Sequence, residues 1–260
     1  MIRKVAILWL LLVVPFAAMA AWFGEQFSAD AVQQDPQTKQ WKAVGKMYVG
    51  QDRLRLESFQ GDQTQVMIID GDDHVAWMLN PAQQVYMEMK GMQTVPMLAG
   101  APLPDETGSP CQDAKMQCKK LGDEKIDGVT AEKWEFVVKG DSGDVKSTQW
   151  FDRAHEMAIR QEFPDGQVIT RKYEGKAKIG GRETEKWEVS FTQGDKTQNG
   201  IEYIDRSLNV VVRQEQSGGQ VTALSDIKVA PQPASLFSIP PGYRKQEMGQ
   251  RSGGGGMPSR

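Results

Sequence analysis

The chain has few of the side chains that carry most catalysis and metal binding. Its 260 residues include two histidines and two cysteines. It contains no Gly-x-Ser-x-Gly, His-Glu-x-x-His, phosphate-loop or dinucleotide-binding motif. Acidic residues are numerous but spread among expected turns, so nothing selects a carboxylate pair for hydrolysis. We therefore expect a protein that is not an enzyme and needs no cofactor.

The two histidines do not point to a site. His155 falls inside a turn of the expected fold, where we expect it to be solvated. His74 begins a strand after Asp72-Asp73, and a weak metal site there is the alternative interpretation. We expect no metal site.

No apolar run at the N-terminus is long enough to cross a membrane. Arg3 and Lys4 precede the apolar run Val5–Phe16, and Ala18–Ala20 fits a small-x-small cleavage site. An uncleaved anchor is the alternative, but a span needs about 20 residues. We predict that residues 1–20 are a signal peptide, cleaved after Ala20, and that the protein is exported to the periplasm.

The mature chain has no excess of basic residues. Without the signal peptide it keeps 29 basic and 34 acidic residues, and no basic stripe is present. Nucleic acid is therefore not expected as a partner.

The two cysteines, Cys111 and Cys118, follow a polar, proline-rich segment. In an oxidising compartment two lone cysteines this close are expected to form a structural disulfide. A redox pair and intermolecular bonds are the alternatives. The spacing is not Cys-x-x-Cys, which excludes a thioredoxin-type motif.

One stretch of the chain repeats without a gap after an offset of 53 residues. Ile126–Val168 aligns with Ile179–Val221, and 14 of the 43 aligned positions are identical. The identities include Glu132–Glu135 against Glu185–Glu188. A fixed period with matching turns and aromatics is typical of one supersecondary unit used twice.

Each copy of the repeat alternates like a half-buried strand. Trp134, Phe136 and Val138 fall on one side, and Trp187 and Val189 hold the matching positions of the second copy. Short turns rich in Gly and Asp separate the strand-like segments. Each copy therefore predicts a meander of about four strands. Two copies in tandem predict one large, curved antiparallel sheet.

The first half of the chain predicts another meander. Gln65–Asp70 and His74–Leu79 are apolar on both faces, and such strands must be covered on both sides. We expect the cover to be a small helical lid formed by Gly91–Ala101.

The mature chain is expected to form one domain, residues 21–244. It comprises the first meander with its lid (21–101), a linker with the disulfide loop (102–118) and the tandem repeat (119–244). The glycine-rich end, residues 245–260, is expected to be disordered.

Methionine is frequent in the first half. Six methionines fall within 31 residues: Met67, Met78, Met87, Met89, Met92 and Met97. One interpretation is core packing alone, because methionine fills irregular gaps. A second is an adaptable apolar surface for a flexible ligand, lined by these methionines together with Trp77 and Leu98. A third is a Cu(I) site in residues 87–97, where Met87, Met89 and Met92 crowd three thioethers together.

Several phrases of the sequence are shared with a known superfamily. They are Phe27–Asp30, Trp150–Asp152 with Ile159–Glu162, Tyr203–Asp205 with Val212–Glu215, and the ending Leu236–Tyr243. Together they resemble the lipoprotein-carrier superfamily, the half-barrels of the LolA, LolB and RseB type. Further phrases look like an exported branch of it: Met47–Val49 with Arg53–Glu57, Trp77–Pro81 and Tyr86–Met89.

The resemblance implies an open, strongly curved antiparallel half-barrel with small helices in its mouth. It also implies a concave face that holds acyl chains or a hydrophobic partner segment. We thus expect an all-β protein with minor helices that binds a lipid, a lipoprotein acyl chain or an apolar peptide. It is expected to be a monomer with peripheral contact to envelope membranes. The alternatives are a protein-binding or envelope-stress sensor module without lipid cargo, and a periplasmic Cu(I)-binding protein.

Overall fold

The protein is built almost entirely from strands. The computed structural model describes residues 24–51, 53–71, 75–90, 103–106, 109, 111, 116–139 and 143–247. Its strands are β1 (Phe27–Gln34), β2 (Trp41–Val49), β3 (Arg53–Gln60), β4 (Gln63–Asp70), β5 (Val75–Asn80), β6 (Val85–Lys90), β7 (Met116–Ile126), β8 (Val129–Val138), β9 (Val145–Asp152), β10 (Met157–Glu162), β11 (Gln167–Ile179), β12 (Arg182–Gln193), β13 (Lys196–Asp205), β14 (Val210–Gln216), β15 (Val221–Val229) and β16 (Arg244–Lys245). A 3-10 turn, Ala234–Phe237, precedes β16.

All sixteen strands belong to one sheet, with the N-terminal strand in its middle. The order is β16-β6-β5-β4-β3-β2-β1-β15-β14-β13-β12-β11-β10-β9-β8-β7. β1 pairs antiparallel with β2 on one side and with β15 on the other. It therefore joins a first wing, β1–β6, to a second wing, β7–β15. This open, curled sheet confirms the predicted all-β half-barrel architecture.

One face of the first wing carries the main core. Its register brings together, as cross-strand neighbours, Phe27, Val49, Leu54, Ile69 and Ala76. All five are fully buried and pack in one cluster with β14. Because side chains from both wings meet on this side, the sheet curls toward it, and we call it the inner face.

The opposite, outer face of the first wing is covered by the end of the chain. Val66, Ile68 and Leu79 are buried there in one cluster with Phe237, and Tyr243 packs against it. The sequence correctly indicated that this wing needs covering on both faces. The predicted lid, formed by residues 91–101, lies outside the described residues; the cover seen on the outer face is the C-terminal segment.

The second wing uses the same strand plan twice. Val129 and Arg182 begin β8 and β12, 53 positions apart. The strands before them, β7 and β11, each have a bulge next to a glycine with positive φ, Gly122 at 130° and Gly175 at 121°. Glycine is favoured at such positions because it has no Cβ atom. The tandem repeat itself stays a prediction, but the shared strand plan begins earlier than the aligned stretch, at β7.

The described residues begin after the predicted signal peptide at the N-terminus but extend past the predicted boundary at the C-terminus. The predicted signal peptide, residues 1–20, lies outside the described residues. The predicted disordered tail starts at residue 245, yet Lys245 belongs to β16 and the Gln246 amide donates to the carbonyl of Tyr86 at 2.8 Å. The chain is therefore held on the edge of β6 beyond the predicted boundary. None of the helical turns in the described part of the chain has the length and apolar character of a membrane span.

We expect Phe237→Ala to destabilise the fold by about 3–5 kcal/mol, the usual cost of removing a buried aromatic ring. The ring lies against Gly50, where a Cβ atom would come within 2.9 Å of it. The free energy of unfolding in urea measures the effect. Ser235→Ala, an exposed change in the same turn, is the control and should stay within about 0.5 kcal/mol. Equal stability of the two variants would contradict the covering role of the C-terminal segment.

Candidate functional site

The inner face of the first wing carries a row of methionines beside the buried core. The row runs across the strands: Ala29 is paired with Met47, Met47 with Leu56, and Leu56 with Met67. Met67 is then paired with Met78, and Met78 with Met87. Directly opposed residues have Cβ atoms about 4.5–5.5 Å apart, so the last three side chains are in contact range.

Exposure changes along this row. Met47 is buried at 1 % exposure, whereas Met67, Met78 and Met87 are half-buried, as is Met89 in the neighbouring row. Met67 and Met89 pack against the core cluster. The row therefore forms a continuous apolar strip that is closed at β2 and accessible across β4, β5 and β6. Four of the methionines chosen from the sequence thus share one accessible face.

Sequence reasoning missed Met47 and misplaced Trp77. Met47 lies two residues before Val49 on the same side of β2, so strand alternation could have identified it. Trp77 faces the other way: it is paired with Ile68 on the outer face, and its indole N–H donates to Glu88 at 3.3 Å. Both faces of β5 are apolar, so alternation alone did not assign Trp77 to a side.

Three further residues chosen from the sequence, Met92, Met97 and Leu98, lie outside the described residues. They follow β6 directly, because β6 ends at residue 90. Asp72, Asp73 and His74 also lie outside.

The inner face continues into the second wing with a different character. Glu202 is paired with Gln214, Gln214 with Thr222, and Thr222 with Gln33. Gln33 is on the same side of β1 as Phe27, because alternate residues of a strand share a face. Glu202 is therefore an inner-face residue, and it is 2 % exposed.

Glu202 heads a chain of buried polar side chains. Arg171 Nε donates to its carboxylate at 3.2 Å, and the two side chains are 6 % and 3 % exposed. Arg171 Nη1 donates to Gln161 at 3.3 Å, and Gln161 donates in turn to Gln149 at 3.1 Å. Since these groups satisfy one another's hydrogen-bonding capacity, this row of side chains acts as an internal brace of β9–β13. Sequence alternation gave no sign of it, because the ion pair joins residues 31 positions apart.

Described residues of the predicted linker pack on the second wing. Leu103 is 2 % exposed and clusters with Phe136 and Phe151, which removes it from solvent. Cys111 and Cys118 form a disulfide with Cα atoms 5.5 Å apart, which confirms the predicted bond. The described parts of residues 103–111 thus pack against β7–β9.

An ion network fastens these residues to the sheet. Arg153 donates to Asp105 at 2.6 Å and to Glu132 at 2.7 Å. The hydrogen bonds from Arg153 lower the pKa of Glu132 to about 2; Lys120 and Trp134 add to this effect, while partial burial opposes it. Arg153 also lowers the pKa of Asp105.

The histidine predicted to be solvated is part of a packed turn. His155 Nδ1 lies 2.6 Å from the Asp152 carboxylate, and its ring centroid lies 4.2 Å from that of Tyr173. The backbone carbonyl of His155 accepts a hydrogen bond from Arg206 at 2.6 Å. No group of three or more His, Cys, Asp or Glu side chains in the described ranges is arranged to hold a metal ion.

A second concavity, at the start of β12, is polar. Arg182 pairs there with Asp205, and Arg206 pairs with Glu185 at 2.8 Å. The charges of these two pairs compensate one another. The apolar strip of the first wing is the better candidate for a binding surface.

Solved structures with a similar course of the chain include three bacterial proteins. A LolA superfamily protein from Nitrosomonas europaea is 14% identical, with a TM-score of 0.39, over 84% of this chain and 91% of its own. An outer membrane lipoprotein-sorting protein domain from Vibrio parahaemolyticus is 11% identical, with a TM-score of 0.32, over 83% of this chain and 90% of its own. A DUF1329 family protein from Desulfovibrio piger is 12% identical, with a TM-score of 0.33, over 83% of this chain and 90% of its own.

No protein-family model and no curated protein sequence matches the chain. The predicted resemblance to the lipoprotein-carrier superfamily is confirmed as a likeness of fold, at low identity and low TM-score.

Replacing Glu202 by Gln should destabilise the protein by about 3–5 kcal/mol, because Arg171 would keep a buried charge without its partner. Replacing both, as Arg171→Met with Glu202→Leu, should cost much less. Glu215→Gln is the control, since its pair with Arg213 is partly exposed and contributes under about 1 kcal/mol. Urea unfolding measures all three. If the single change is as mild as the control, the brace does not stabilise the sheet.

Acid should weaken the protein partly through Glu132. Its folded pKa is about 2, below the ordinary value of 4.5, so its contribution is full above the ordinary pKa. That contribution is lost as pH falls through about 2. Glu132→Gln should therefore flatten the fall in unfolding free energy between these two pH values. Arg153→Met should flatten the same limb, since it removes the same hydrogen bonds. An unchanged slope in both variants would refute this origin.

Proposed function

We propose that the protein is an exported binding protein that holds a hydrophobic ligand on the inner face of its first wing. The ligand class is a lipid, the acyl part of a lipoprotein or an apolar peptide. The observation that carries the proposal is the accessible apolar strip of Met67, Met78, Met87 and Met89 on one face of β4–β6.

The arrangement suits binding without strict shape selection. A fully buried row of Val, Leu, Ile and Ala lies beside the strip on the same face and gives it a rigid edge. Methionine side chains have three rotatable bonds and can repack around flexible chains. Removing apolar area from water contributes about 25 cal/mol per Å², before the costs of association are subtracted. A flexible ligand chain lying across three strands would thus be held by the burial of apolar surface rather than by hydrogen bonds.

The second wing contributes rigidity in this proposal. Its inner face is filled by the polar chain from Glu202 to Gln149 and by the turn that carries Leu103. An apolar ligand would therefore be confined to the first wing. Residues 91–101, which follow β6, would be the lid over it. The mature protein would act as a monomer in the periplasm, with only peripheral membrane contact.

Native mass spectrometry of the mature protein, residues 21–260 purified gently from the periplasm, tests the proposal. We expect co-purified phospholipid or acyl chains, identified after organic extraction. A clean apo mass with no uptake of added phospholipid would contradict it and favour a protein-binding module, which should capture a partner protein instead.

The location of the proposed binding site is tested by introducing a charged side chain into the strip. Met78→Asp and Met87→Asp should each abolish lipid uptake, because a carboxylate on the strip must be desolvated by an acyl chain. These two positions are chosen because neither packs in the buried core cluster, so folding should survive. Gln83→Asp, in the exposed turn before β6, is the matched control. Normal uptake by both methionine variants would move the site elsewhere.

A further inference from the structure

We propose that Met67, Met78 and Met87 form a thioether site for Cu(I) on the inner face of the first wing. Each of the three comes from a different strand, and the strands are adjacent: β4, β5 and β6. Met67 is directly paired with Met78, and Met78 with Met87. The three sulfur-bearing side chains therefore start from one line across the sheet.

The spacing lets the three sulfur atoms converge on one ion. Neighbouring strands lie about 4.7–4.9 Å apart, which puts the outer two methionines about 10 Å apart at their Cα atoms. Met78 stands between them, and each outer side chain needs to lean by half that distance. Methionine has three rotatable bonds for this purpose. The sheet also curls toward this face, which draws the tips of its side chains together.

The chemistry of the donors selects the metal. Thioether sulfur is a soft, uncharged ligand that prefers Cu(I) over hard cations such as Mg²⁺ or Ca²⁺. The three side chains are half-buried, so an ion could reach them without opening the core. The cysteines of the described chain are joined to each other as Cys111–Cys118, so no thiolate there competes for the ion.

The ligand set differs from the one that sequence spacing suggests. Spacing along the chain selects Met87, Met89 and Met92. The register instead places Met89 beside Ala76, one row away from Met78, where it packs against the core. Met92 lies outside the described residues. The two sets share only Met87, and this makes them separable by mutation.

The experiment is a competition titration of the mature protein with Cu(I) held by bicinchoninate, under anaerobic conditions. Ascorbate is the reductant because it leaves the disulfide intact. The variants are Met67→Leu with Met78→Leu, and, as the matched control, Met89→Leu with Met92→Leu. Leucine conserves volume and apolar surface, so both variants should fold. Thermal unfolding verifies the fold.

We expect one Cu(I) per chain in the wild-type protein. Losing an outer-shell partner alone costs a metal site about 10–100-fold in affinity, so losing two direct ligands should cost at least that much. The Met89/Met92 variant should keep the wild-type affinity. Binding should be equally tight at pH 5 and pH 7.5, because a thioether has no proton to lose, unlike a His or Cys ligand.

Two results would overturn the proposal. One is that the wild-type protein takes no Cu(I) from bicinchoninate. The other is that the Met67/Met78 variant keeps the wild-type affinity, whether or not the Met89/Met92 variant loses it. Neither result bears on the hydrophobic-ligand proposal, since lipid uptake is measured separately, on the wild-type protein.

Discussion

The register of β1 is the constraint on which the rest of the molecule depends. In the described sheet β1 is the strand whose backbone pairing joins the two wings, because it pairs with β2 and β15 at once. A slip of one residue in either pairing would turn every side chain of a wing to the opposite face. Phe27 and Ala29, both buried, mark the side that must face inward. The core of one wing thus specifies which face the other wing presents.

From this register the inner face acquires two different characters. In the first wing the row beside the strip is fully buried and apolar, and the strip itself is accessible across β4–β6. In the second wing the same face holds a buried ion pair, Arg171 with Glu202. A buried ion pair of this kind contributes little net stability, but removing only one of its partners is strongly destabilising. It therefore favours one arrangement of β11 and β13, while the first wing keeps a surface that can adapt.

The strands could be predicted largely from sequence, because they depend on period-two patterning. Met67, Met78, Met87 and Met89 fall on one face as alternation along single strands requires. Trp77 could not be assigned, since its strand is apolar on both sides and only the long-range contact with Phe237 decides its direction. That contact joins segments far apart in the chain, and no local pattern encodes it. The Arg171–Glu202 pair escaped prediction for the same reason.

The choice of residue along the inner face follows from exposure. In its buried row the face carries mostly branched side chains such as Val49 and Ile69, which have few rotamers and pack rigidly. In the neighbouring row, where the face is accessible at β4–β6, methionines take their place. A branched side chain there would lack the rotational freedom of methionine. The change from branched to flexible residues between the two rows thus gives the accessible row the adaptability that the proposed binding function requires.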